Sequence, residues 1–332
     1  MVTFIQDFNP GTVALSCAVA FIGAYATVSL CEQFRLAAVR KVTITHLLSM
    51  IMAGFAFGGV GIWGVFYLVI NSCRLKFPDG SLNAWRYDIF DTFLALAVAP
   101  IIAGFGLWVA STDHCFNKSK KEIMDLFITR TTAAATYSIS EIKHMSRYRI
   151  LFIVCTHSPE RLILGGAIGG GGTALMRYLG LRSLVIPGHL HYDSGITALT
   201  IILSMLIMIS GFWIFFRVLS VFSSLDWLRF LCAVQGIAGL CGIHYIALAG
   251  VRFEYDPAVV VNLDTSISPR PFIVSILCGT VIYSFTALIY VLSDLREWLL
   301  RTRYVIVFFC FFVLSACVIC CYLCNCVIFC SG

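Results

Sequence analysis

At 332 residues the chain is 60% hydrophobic and only 12% charged, with a mean hydropathy of +0.92. That composition excludes a water-soluble globular fold and makes the chain an integral membrane protein. The formal net charge of +6 is explained by membrane topology, so no nucleic-acid partner is called for; the partner is the lipid bilayer.

A bilayer core needs about 20 apolar residues per helix. Runs of that kind cover Thr12 to Cys31, Thr45 to Ile70, Thr92 to Ser111, Leu162 to Leu181, Thr197 to Phe216, Leu228 to Val251 and Phe272 to Leu292. The fold class is therefore all-α, a polytopic transmembrane bundle of seven helices. Tyr304 to about Tyr322 is a candidate eighth. Arg35 is the first basic residue, so nothing before it looks like a cleaved signal peptide.

With the N-terminus outside, sixteen Lys and Arg fall in the cytoplasm, Arg217 and Arg229 among them, and seven fall outside. This bias is the orientation rule for membrane helices, and it predicts an extracytoplasmic N-terminus in a plasma-membrane protein. Of fifteen cysteines, seven crowd into the last 23 residues. That cluster is a candidate for S-acylation or soft-metal binding, with apolar filler as the alternative, and no disulfide is expected. Only Cys73 falls clearly in an outer loop.

One phrase occurs three times: Gly61-Ile62-Trp63-Gly64-Val65-Phe66-Tyr67, Gly172 to Gly180 with Met176-Arg177-Tyr178 inside it, and Gly239-Leu240-Cys241-Gly242-Ile243-His244-Tyr245. Each closes an apolar, Gly-rich helix. Each precedes by 11 to 21 residues the Asp of a Tyr-Asp pair, namely Asp88, Asp193 and Asp256. The reading is three helix-pair repeats plus one closing helix, with the second pair carrying an insertion at 112–161. In that insertion Glu122 to Ile128 reads either as an amphipathic helix on the inner leaflet or as a solvated loop.

The three Asp sit where the free amides of helices three, five and seven want a side-chain acceptor, so they are predicted N-caps. Asp7-Phe8-Asn9-Pro10 does the same for helix one. The glycines between Gly165 and Gly172 lack the Lys-Ser/Thr of a phosphate loop. Gly165 with Gly169, Gly166 with Gly170 and Gly54 with Gly58 have the four-residue spacing that lets helices approach closely in lipid.

The triplicated phrase resembles the MHYT family, seven-helix membrane sensors named for a Met-His-Tyr-Thr motif near the outer ends of alternate helices. The resemblance covers about residues 5 to 300 and is to a fungal-type member with degenerate motifs. It implies a metal, copper, held by the Met and His of the motifs and perceiving a diatomic gas or redox signal. Position by position, Val65 and Phe66, Met176 and Arg177, and Ile243 and His244 take the Met and His places. His244 and Met176 are thus the candidate metal ligands, with His189 and His191 as additional donors if their loop folds back. Trp63, Tyr67, Tyr178 and Tyr245 complete the motif positions. Arg177 has no lone pair to give; it is expected to snorkel outward or to pair with Asp193 or Asp88.

No nucleophile elbow, metalloprotease His pair or kinase signature is present, so the chain does not read as an enzyme. Lys143 is the last lysine, which removes a retinal Schiff base on helix seven. The family normally continues into cytoplasmic signalling segments, whereas residues 301–332 are a Cys-rich apolar tail, so the chain reads either as a truncated or misread product or as one whose output passes through a separate cytoplasmic signalling partner. A structural or transporter-like membrane protein with a decayed metal site is the competing reading.

Overall fold

The computed structural model describes residues 2–40, 43–76, 82–83, 85–113, 159–219, 226–256, 258–259 and 265–294. Most of the insertion, the tail and the candidate eighth helix lie outside them. Seven long helices are formed: α1 Pro10–Arg40, α2 Thr43–Ser72, α3 Ile89–Ser111, α4 Glu160–Arg182, α5 Ser194–Val218, α6 Asp226–Ala249 and α7 Pro269–Asp294. All but α4 are long and apolar enough to cross a membrane. The glycines and Arg177 lower the hydropathy of α4, which is nevertheless 23 residues long and packs between α3 and α5. The chain is a multi-pass membrane bundle.

Helix α2 is the hub, with 78% of its span buried against 22–44% for the other five candidate spans. Its middle, Phe55–Gly64, widens into a π-helix before the regular turns of Val65–Ser72 resume. Small residues bring its neighbours onto its backbone. A Cβ on Gly23 of α1 would lie 3.0 Å from Gly61, and one on Gly58 would lie 2.4 Å from the carbonyl oxygen of Ala99, beside Pro100 of α3.

The glycines of α4 are divided between two neighbours. A Cβ on Gly165 would lie 2.6 Å from the carbonyl of Gly106 on α3, while those on Gly166 and Gly170 would meet the backbone of Ile209 and Met205 on α5 at 2.6 and 2.5 Å. The two four-residue stripes are thus two separate contact faces. Without a hydrophobic force between helices in lipid, contacts of this closeness supply the attraction.

Among the described residues the motif end carries nine short strands, which the sequence did not predict. Their ranges are β1 Val2–Thr3, β2 Ile5–Phe8, β3 Cys73–Lys76, β4 Leu82–Asn83, β5 Arg86–Asp88, β6 Leu184–Val185, β7 Gly188–Tyr192, β8 Val251–Tyr255 and β9 Ser266–Ile267. They form three three-stranded sheets, ordered β2-β3-β4, β6-β5-β9 and β1-β8-β7. In each sheet the strand leading into an odd helix pairs antiparallel with the strand leaving the following even helix.

The pairing fixes the repeat and corrects one expectation. Asp88 and Asp193 accept from the amides of Asp91 and Ile196 at 3.0 and 2.9 Å, and the Asn9 side chain accepts from Gly11 at 2.9 Å. Asp256 does not cap helix seven. It follows β8, its Oδ1 accepts from the amide of Ala258 at 2.9 Å, and α7 begins only at Pro269. Tyr255-Asp256 therefore leaves the third unit and does not open the next helix.

At the opposite end Arg217 and Asp113 form a buried ion pair at 2.6 Å, the side chains 1% and 2% exposed. Arg229 reaches Glu32 at 2.6 Å. Cys278 is disulfide-bonded, which the sequence reading did not anticipate, whereas Cys17, Cys31, Cys73, Cys232 and Cys241 are free thiols.

Gly170→Leu is expected to destabilise the fold by about 3 kcal/mol or more through backbone overpacking against α5. Gly279→Ala, with nothing within 4 Å of an added Cβ, is expected to be neutral or mildly stabilising; thermal unfolding in detergent compares them. Cys73 is buried in β3, and burial, helped by the charge of Asp7, pushes its thiol up to about 12. Below that pH it stays protonated and unreactive. Mass spectrometry should find the Cys73 peptide unalkylated by maleimide at pH 8 until the protein is denatured.

Candidate functional site

Three equivalent backbone hydrogen bonds set the geometry of the motif end. The amides of Asn9, Asp88 and Asp193 donate to the carbonyls of Ser72, Ser183 and Gly250 at 2.8, 2.8 and 3.0 Å. Counting back from those carbonyls places Tyr67, Tyr178 and Tyr245 at one register position, with Phe66, Arg177 and His244 one residue earlier and Val65, Met176 and Ile243 before them. All six of these preceding residues are buried.

The tyrosines reach round the bundle. Tyr67 meets the Ser183 hydroxyl at the end of the second unit at 3.0 Å, and Tyr245 meets the Ser72 hydroxyl at the end of the first at 3.2 Å. Each serine gives its own proton to a carbonyl of its helix, that of Gly180 or Val69, so the tyrosines are the donors. Tyr245 also contacts Ser16 at 3.2 Å. The same rule would send Tyr178 to position 250, which is glycine and has no hydroxyl. Tyr178 instead turns outward, 59% exposed, and lies 6.2 Å from the ring of Tyr192. The ring of three links has one open.

At the level below, Phe66 presents an edge to His244 with ring centroids 5.6 Å apart. It also fills the space beside Gly180, where a Cβ would lie 2.2 Å from its ring. Arg177 donates to the Thr200 hydroxyl at 2.7 Å. It pairs with neither Asp193 nor Asp88, because a buried guanidinium on that turn of α4 faces α5. Trp63 donates to the carbonyl of Thr92 at 3.2 Å and packs at a tilt against Tyr67 and edge-on against Phe272.

His244 is the outlying chemical fact. It is 2% exposed, and neither Nδ1 nor Nε2 has a hydrogen-bond partner. An unsatisfied buried polar group costs about 1–3 kcal/mol, and both ring nitrogens of His244 are in that position. His189 and His191 do not fold back onto it. They project from one face of β7 toward the carboxylates of Asp256 and Glu254, at 3.5 and 3.3 Å. Among the described residues no three His, Cys, Asp or Glu gather at one point. The two candidate ligands of the buried motif layer, His244 and Met176, are 2% and 0% exposed.

Sequence reasoning missed Ser72, Ser183 and Thr200. The two serines carried a signal, since each stands five residues after a motif tyrosine, Tyr67 or Tyr178; Thr200 on α5 carried none of that kind.

Tyr67→Phe should cost about 1 kcal/mol, the net worth of one buried hydrogen bond, and Tyr178→Phe should cost nothing measurable. Chemical or thermal denaturation of the two variants checks the difference.

Comparison with known proteins places this arrangement. Residues 170–225, which contain the motif turn of α4 and the whole of α5, match MHYT, the "Bacterial signalling protein N terminal repeat". The chain is also 24% identical over 251 residues to the bifunctional diguanylate cyclase/cyclic di-GMP phosphodiesterase MucR of Pseudomonas aeruginosa. That match takes in 75% of this chain and 29% of the relative's length, so the chain spans under a third of it. No solved structure matches.

Proposed function

We propose that this chain, a member of the MHYT family by its repeat and its relative, is a membrane sensor that perceives its signal at His244. The observation that supports the reading is the buried imidazole with both nitrogens unpartnered. An ionisable side chain inside a span is retained for function by default. The motif end faces outward in this reading, as the excess of basic residues on the other side requires.

Two buried residues of the motif layer have donor types that a soft ion accepts. A neutral imidazole and a thioether are the ligand types copper accepts, and His244 and Met176 would be the residues to hold it. Bound there, the metal would supply affinity for a diatomic gas or a one-electron redox change. The chain's own contribution is to keep the imidazole dry and oriented: Phe66 braces its ring, while Arg177 is tethered to Thr200. Phe66 and Arg177 occupy positions where the full motif supplies two more imidazoles, and the neighbouring guanidinium disfavours a second positive charge. Binding is therefore weaker than a complete motif would give.

The chain is not an enzyme in this reading, and it signals through a separate cytoplasmic partner. The cyclase and phosphodiesterase activities in the relative's name belong to that protein. A second reading, a structural membrane subunit with a decayed site, is favoured by the tight fit of Phe66 against Gly180 and His244.

Metal analysis of detergent-purified protein separates them. Wild type is expected to carry substoichiometric copper and His244→Ala several-fold less. Phe66→His with Arg177→His should raise copper well above wild type. Equal and negligible copper in wild type and His244→Ala removes the metal-sensor reading, and a double variant that binds no more than the parent reduces the motifs to packing elements.

A further inference from the structure

A crevice of about 90 Å³ lies between α5 and α6, with α1, α2 and α3 forming its floor. Met208, Gly211, Phe215, Cys232 and Gln235 line its walls, and Phe57 of the π-helical segment closes its base. It runs alongside residues 207–215 of α5 and 232–240 of α6, which at 1.5 Å per residue makes it about 12 Å long. On the same two helices Leu206, Trp213, Leu231 and Val234 are exposed, and in a membrane bundle such residues face hydrocarbon.

Water is a poor occupant. A buried water needs two to four polar partners, and the polar side chains on the walls are Thr27 and Gln235. Thr27 already donates to the carbonyl of Gly23 at 2.7 Å. The crevice is long, narrow, apolar and parallel to the helices, which is the shape of one hydrocarbon chain and not of a compact ligand. Its lower part approaches the end of α6 remote from the motifs.

We propose that this crevice is a binding site for a single acyl chain of a membrane phospholipid, inserted from the leaflet opposite the motif end. The site does not depend on the reading of His244. Its occupant rests against Phe57, and so touches the same helix that carries Trp63 and Phe66.

Gly211 supplies the test, because nothing lies within 4 Å of a Cβ added there. Gly211→Leu fills the crevice without repacking it, and Gly279→Leu on α7, equally uncrowded, controls for a new leucine. The intact protein is reconstituted in vesicles of phosphatidylcholine carrying a diazirine midway along one acyl chain, irradiated and mapped by mass spectrometry. In wild type the peptides containing Gly211 to Phe215 and Cys232 to Gln235 should be labelled several-fold more than that containing Ile202, which is an ordinary lipid-facing residue. Gly211→Leu should reduce the crevice labelling at least fivefold, leaving Ile202 labelling and the unfolding temperature unchanged; Gly279→Leu should alter none of these. Crevice labelling no higher than at Ile202, or unaffected by Gly211→Leu in protein of wild-type unfolding temperature, overturns the proposal. If Gly211→Leu unfolds, Gly211→Ala with graded loss of label decides in its place.

Discussion

Three amide-to-carbonyl bonds, from Asn9 to Ser72, Asp88 to Ser183 and Asp193 to Gly250, hold the register of the whole motif end. A helix leaving hydrocarbon has carbonyls without partners, and the next one entering has amides without partners. Joining the two in each repeat satisfies both and extends naturally into a pair of antiparallel strands. Everything at that end is then measured from the same three points: the tyrosines, the buried layer beneath them, and the hydroxyls that receive the tyrosine protons.

That common frame shows how the three units have diverged. The hydroxyl-bearing positions 72 and 183 tie two units to their neighbours, and glycine at 250 leaves the third tie unmade. A serine there would not restore it for free, since a Cβ on Gly250 would sit 2.5 Å from Ile196. The buried layer has diverged further, into one aromatic ring, one cation and one free imidazole. Symmetry of the backbone has been kept while symmetry of the chemistry has been lost.

The helices, their count, the glycine faces and the equivalence of the three phrases were all legible in the sequence, because each rests on long apolar runs or on fixed spacing. The strands were not. They are two to five residues long, and segments such as Arg86-Tyr87-Asp88 show no run of alternation that separates them from a loop. The dipeptide Tyr255-Asp256 misled for a related reason: it copies Tyr87-Asp88 and Tyr192-Asp193 in letters while occupying the outgoing strand. Arg217 was read as one more cytoplasmic charge; only the approach of α3 and α5 shows that it is buried on Asp113. Composition reports how many charges a segment has, but it cannot report which of them a neighbour will cover.

The sheet order β1-β8-β7 has a consequence for how the molecule is made. Val2 pairs with Tyr255 and Thr3 with Glu254, so β1, made before helices α1 to α6, takes its place only after the sixth has been threaded. Until then its edge stays open, and contacts so distant in sequence close slowly. A chain stalled before β8 would lack the strand on which β1 closes this sheet, whereas the folded chain has it.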